Sequence, residues 1–71
     1  MEKITISTEF ITLGQFLKLA GVVGSGVEAK LLIQSGDVFV NGEVDYRRGK
    51  KLHHQDIVSF NHQKFMVIYE G

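Results

Sequence analysis

Cysteine and proline are absent from this 71-residue chain, and its formal net charge is zero. Without cysteine the chain has no disulfide and no cysteine-built zinc site, two devices that commonly stabilise domains this small. The longest uncharged stretch, residues 19–27, is too short for a membrane span. No basic segment followed by an apolar one opens the sequence, so no secretory signal is visible. We therefore expect one soluble, cytoplasmic, monomeric domain over residues 1–71.

The zero net charge hides an asymmetry along the chain. Residues 1–45 carry three basic and six acidic side chains, whereas residues 46–71 carry five basic and two acidic ones. Most of the positive charge lies in one run, residues 47–51 (RRGKK), which we call the basic run. Cations this close repel one another, so the run is either a solvated loop or a site for a polyanion such as a nucleic-acid backbone.

Two capping boxes and two glycine stops predict a pair of short helices. Thr12 and Gln15 have the spacing of the first box, and an apolar stripe of helical period leads from there to Gly21. Ser25 and Glu28 repeat the box, and the second stripe ends at Gly36. Helices this short are unstable alone, so each must pack on the other and on a sheet.

Strand patterns flank the helix pair. Short runs at residues 4–7, 37–40, 43–45, 57–60 and 65–69 predict strands, and Asn41-Gly42 is a strong signal for a tight hairpin. The expected fold class is α+β, with two packed helices followed by a small, mostly antiparallel sheet. Phe16 and Phe60 are expected in the core. Phe39 alternates with Val38 and Val40, so it either packs beneath the first strand or presents its ring for stacking.

The sequence contains no convincing motif for catalysis or for binding a metal or cofactor. Residues 24–29 fit a dinucleotide-binding fingerprint, but that motif needs a preceding strand, and here a predicted helix precedes it. His53, His54 and His62 lack the spacing of a metal site. No serine has an evident base, and a domain this small has little room for a water-excluding pocket. The sequence predicts a non-enzymatic protein without metal or cofactor.

Three ordered segments carry a resemblance to a known family. Residues 16–21 (FLKLAG), 25–30 (SGVEAK) and 36–43 (GDVFVNGE) resemble the alpha-L RNA-binding domain named after small-subunit ribosomal protein S4, as a short stand-alone bacterial member. The resemblance covers about residues 11–60. It implies an RNA surface formed by the helix pair and the neighbouring sheet edge, and it implies a structured ribosomal or transfer RNA, free or within a ribosomal subunit, as the partner.

Carried onto this chain, the resemblance implies a set of RNA-binding residues. They are Lys18, Ser25, Gly26, Lys30, Arg47, Arg48, Lys50 and Lys51. Tyr46, beside the basic run, is expected to contact the ligand as well. A hypothesis from another class is a protein-interaction adaptor, in which the exposed edge of a terminal strand at residues 64–69 pairs with a partner.

Overall fold

A computed structural model describes residues 1–71, with two helices and seven strands. The helices are α1 (Leu13–Leu19) and α2 (Gly26–Gln34). The strands are β1 (Glu2–Ile6), β2 (Ile11–Thr12), β3 (Val38–Val40), β4 (Glu43–Val44), β5 (Lys51–Leu52), β6 (Ile57–Phe60) and β7 (Gln63–Tyr69). Neither helix is long and apolar enough to cross a lipid bilayer.

Five strands form one sheet in the order β1-β7-β6-β3-β4, antiparallel except for the parallel pair β1 and β7. Strands β2 and β5 form a separate two-stranded antiparallel ribbon. The predicted α+β class and helix pair are confirmed. The predicted exposed edge at residues 64–69 is wrong, because β7 lies between β1 and β6 and its hydrogen-bonding groups face strands on both sides. The sheet edges are β1 and β4.

Both helices begin at the predicted caps. The Thr12 hydroxyl accepts the Gln15 N–H at 3.4 Å, and the Ser25 hydroxyl accepts the Glu28 N–H at 3.2 Å. Beyond the helix ends, Gly21 and Gly36 adopt φ values of 78° and 85°, which glycine alone reaches without steric cost. Each helix therefore ends at the predicted left-handed glycine.

The hydrophobic core lies between the helix pair and one face of the sheet. Its largest fully buried side chain is Phe16, which meets Phe65 edge to face at a centroid distance of 6.5 Å. Phe60 is half-buried against the same cluster. Phe39 is not in the core. It pairs with Ser59 and Val44 on the opposite face and is 39% exposed, because the buried Val38 and Val40 take the inner positions of β3.

Two tight hairpins fix the register of the antiparallel strands. Asn41 and Gly42 take φ values of 51° and 87° between β3 and β4, as their sequence predicts. Asn61 and His62, at 51° and 66°, make the corresponding turn between β6 and β7. The predicted polar turn at residues 61–63 is thus one residue shorter, and β7 already begins at Gln63.

Candidate nucleic-acid interface

The backbone of the basic run is docked on the first turn of α1. The N–H of Leu13 donates to the carbonyl of Lys50 at 2.8 Å, and the N–H of Gly14 donates to the carbonyl of Arg48 at 3.0 Å. These N–H groups have no partner inside the helix, so the loop supplies the acceptors that the helix lacks. The basic run is therefore held as a fixed loop.

Gly14 makes this close approach possible. A Cβ atom at this position would lie 2.7 Å from Cγ of Arg48 and 3.5 Å from its carbonyl oxygen, and the first distance is shorter than real Cβ contacts allow. The aliphatic stem of Arg48 thus lies directly over the glycine. This contact sets where the side chain leaves the loop.

A shallow groove opens between the starts of the two helices and this loop. Two of its lining residues, Lys18 and Arg48, are cations with exposed side chains, and no carboxylate belongs to the lining. The complete lining is Thr12, Gly14, Gln15, Lys18, Gly26, Ala29, Arg48 and Gly49. The fold thus brings cations 30 positions apart in the sequence to one concave surface.

The first turn of α2 forms the far side of the groove. Its cap, Ser25, is committed to the helix, because the hydroxyl accepts the Glu28 N–H and also lies 3.5 Å from a Glu28 carboxylate oxygen. The N–H groups of Gly26 and Val27 make no hydrogen bond within the chain. Gly26 is exposed, with nothing within 4 Å of the position a Cβ would take. Free N–H groups at a helix start favour an anionic ligand.

Lys30 extends this side of the groove. It follows Gly26 by four residues on α2, so both lie on the same face of the helix. Its side chain is exposed and makes no ion pair. Lys30 therefore lies one helical turn from Gly26 but does not belong to the groove lining.

Arg47 points elsewhere and is already paired. Its Nε and Nη2 donate to the two carboxylate oxygens of the buried Asp45 at 3.0 and 2.8 Å, and its backbone N–H donates to the same carboxylate at 2.9 Å. The side-chain hydrogen bond from Arg47 lowers the pKa of Asp45, and the same bond raises the pKa of Arg47. Much of the Arg47 charge is thus offset within the loop.

The remaining predicted residues on this loop have side chains that lie in different places. Lys50 is half-buried and lines a separate depression with Glu43 and Asp45 beside β4. The Nζ of Lys51 lies 4.9 Å from the ring centroid of Phe10. Tyr46 is exposed and packs over Gly36, just beyond the end of α2. The basic run is therefore not one charged surface: only Arg48 among its cations lines the groove.

Sequence reasoning missed Thr12, Gly14 and Gln15 as parts of this surface. It treated Thr12 and Gln15 as helix-capping residues only and gave Gly14 no role of its own. The available signal was a glycine inside a predicted helix, where its low helix propensity indicates a packing reason.

The three histidines lie in different surroundings. The ring of His53 sits 6.1 Å from that of Phe10, the Nδ1 of His54 accepts the Tyr69 N–H at 2.9 Å, and His62 lies in the β6–β7 turn. His54 thus supports the end of β7.

Residues 4–68 match the sequence model of the S4 domain family. The match spans nearly the whole chain and includes both helices and the groove between them. The chain belongs to the S4 domain family. The resemblance inferred from three short segments is thereby confirmed, and with it the assignment to a binding domain instead of an enzyme.

Known relatives of this S4 domain agree in sequence and fold. A Bacillus subtilis (strain 168) protein described as a probable ribosome maturation protein, RlbA, is 56% identical over 55 residues, covering 78% of each chain. The solution structure of YbcJ from E. coli, described as having an alpha-L motif involved in RNA binding, superposes with a TM-score of 0.72 at 32% identity. It covers 96% of this chain and 87% of YbcJ.

A more distant neighbour shows the fold alone. The 30S ribosomal protein S4e from Thermoplasma acidophilum superposes with a TM-score of 0.67 at 20% identity. The alignment covers 90% of this chain but only 34% of the archaeal protein, so the shared unit is one part of that larger chain.

Proposed function

We propose that this S4 domain binds structured RNA, ribosomal or transfer RNA, through its groove, and that it acts in ribosome assembly or maintenance. The observation that carries the proposal is the convergence of Lys18 and Arg48 with the open first turn of α2 on a concave surface whose lining contains no carboxylate, since the Glu28 carboxylate lies beside the Ser25 cap and not in the lining. The descriptions of RlbA and YbcJ support the same class of partner. The place of action would be the cytoplasm, and the active form a monomer without cofactor.

The groove suits the phosphate backbone better than base edges. Arg48 provides a planar guanidinium that bonds two phosphate oxygens, Lys18 adds a point charge, and the Gly26 N–H supplies a backbone donor. A shallow groove this short has few side chains that reach base edges. Recognition would therefore depend on the shape of the RNA and the positions of its phosphates.

The test is a salt series with a labelled ribosomal RNA stem-loop. With three to five phosphates contacted, log K against log salt should slope by about −2 to −5, at roughly 0.7 to 0.9 for each contact. The double variant Lys18→Glu/Arg48→Glu should lower affinity at least tenfold at low salt and flatten the slope by about 1.5, the contribution of two contacts.

A matched control carries the same change in charge on another surface. Lys3 and Lys64 are exposed on β1 and β7 and do not line the groove. Lys3→Glu/Lys64→Glu should reduce affinity much less than the groove variant does. Equal losses in the two double variants would mean that only net charge matters and would contradict the groove as the binding site. No binding by the unaltered protein at low salt would overturn the proposed function.

A further inference from the structure

The β2–β5 ribbon presents an aromatic and cationic face that the groove does not use. Ile11 pairs with Leu52 and Thr12 pairs with Lys51. Extending this antiparallel register by one step places Phe10 opposite His53. Side chains alternate between the two faces of a strand, so Phe10, Thr12, Lys51 and His53 share one face, while the buried Leu52 and half-buried Ile11 turn toward the core.

The side chains on the outer face contact one another. The rings of Phe10 and His53 lie 6.1 Å apart at an interplanar angle of 44°, and the Lys51 ammonium sits 4.9 Å from the Phe10 centroid. Phe10 is nevertheless 41% exposed. Packing within the protein thus leaves part of this aromatic surface open.

This face is anchored in the fold and adjoins the groove at Thr12. Leu52 anchors the ribbon in the core, the His53 N–H donates to Asp56 at 2.7 Å, and the Thr8 hydroxyl donates to the Phe10 carbonyl at 2.7 Å. Thr12 belongs to both surfaces, because it lines the groove and stands beside Lys51 on the ribbon. An RNA held in the groove therefore passes close to the aromatic pair.

We infer that Phe10 and His53 form a stacking site for an unpaired base, with Lys51 placed to contact the adjoining phosphate. This inference rests on the proposed function and narrows its ligand to RNA in which a duplex meets an unpaired nucleotide. Stacking on an aromatic side chain accepts any base, since every base has a π-face, and it is worth about 1–3 kcal/mol for each base. The site adds affinity for an unpaired nucleotide without reading its identity.

The experiment compares two stem-loops with 3′ overhangs of equal length and equal phosphate number. One overhang carries adenines, and the other carries abasic nucleotides. The unaltered protein should bind the adenine overhang about 5- to 150-fold more tightly, the range that one stacked base supplies. Phe10→Leu should bring that ratio close to one and leave affinity for the abasic RNA nearly unchanged. The fluorescence of 2-aminopurine in the overhang should be quenched by the unaltered protein and not by the variant.

Phe39→Leu is the matched control, because Phe39 is exposed to the same degree as Phe10 but lies on the five-stranded sheet. It should keep the full preference for adenine. Lys18→Glu/Arg48→Glu should weaken the binding of both RNAs and leave the ratio of the two affinities unchanged. Equal binding of the two RNAs by the unaltered protein, or loss of the preference in Phe39→Leu instead of Phe10→Leu, would overturn the stacking site while leaving the groove intact. Failure to bind either RNA would overturn the proposed function itself.

Discussion

Helices α1 and α2 both start at a hydroxyl cap, yet their first turns have different neighbours. At α1, carbonyl groups of the basic run accept the N–H groups of Leu13 and Gly14. At α2, the N–H groups of Gly26 and Val27 have no acceptor in the chain. One helix start thus holds a loop in place, and the other stays available to a ligand. The same capping motif serves architecture in the first case and, in our proposal, RNA binding in the second.

The difference between the two helix starts is tested most directly by adding one methyl group at each of them. Gly14→Ala forces the new Cβ against Arg48, which should cost about 1–3 kcal/mol of unfolding free energy through overpacking. Gly26→Ala meets no atom within 4 Å and should leave stability unchanged or raise it by up to about 1 kcal/mol. Urea denaturation of both variants measures the difference. Equal effects would mean that the loop is not packed on α1 as described.

Removing the ion pair between Arg47 and Asp45 tests how the loop is held in place. Asp45→Asn loses the charge that receives three hydrogen bonds from Arg47 and should lower the unfolding free energy by about 1–2 kcal/mol at pH 7. Because Arg47 lowers the pKa of Asp45 in the folded protein, this stabilisation is present above the unfolded pKa of about 4 and is lost as the pH falls below it.

The same variant should therefore differ from the unaltered protein at pH 7 and converge with it as the pH falls through the lowered pKa of Asp45. Glu43→Gln is the control, since the Glu43 carboxylate is exposed on β4 and makes no hydrogen bond. Its stability should match that of the unaltered protein at neutral pH. A constant difference between Asp45→Asn and the unaltered protein at all pH values would contradict the role assigned to the ion pair.

Removing the two capping hydroxyls should change the unfolding free energy by smaller and unequal amounts. Ser25→Ala removes the acceptor of the Glu28 N–H from a helix start that has no other partner, and should cost about 1 kcal/mol. Thr12→Ala removes a longer bond from a helix start that the loop also supports, and should cost about 0.5 kcal/mol. Thermal unfolding of the two variants ranks them. The reverse order would mean that the loop does not share in capping α1.

Local signals in the sequence account for the elements but not for their partners. The caps at Thr12 and Ser25, the stops at Gly21 and Gly36, and the Asn41-Gly42 hairpin all depend on neighbouring residues, so they could be predicted. The two-residue strands β2 and β5 have no periodicity to detect, and their pairing joins residues about 40 positions apart. The parallel pairing of β1 with β7 likewise has no local signal.

The sequence predicted that the candidate site is cationic but not where the side chains of its cations point. A run of cations identifies a positive segment, but its direction depends on what each side chain meets. Arg47 pairs with the Asp45 carboxylate, and the Lys51 ammonium packs against the Phe10 ring. The stem of Arg48 lies over Gly14, so its side chain lines the groove. Each of these contacts depends on tertiary structure, which the spacing of the basic run does not encode.

The position of β7 also decides when the domain becomes complete during synthesis. This strand is made after the other strands of the domain, lies between β1 and β6 in the sheet, and is the only partner of β1, the first to be made. While the ribosome is still producing residues 7–62, the apolar side chains of Ile4 and Ile6 have no strand beside them. The sheet cannot be completed before β7 has been made, so the core closes only after every other element of the domain has been synthesised.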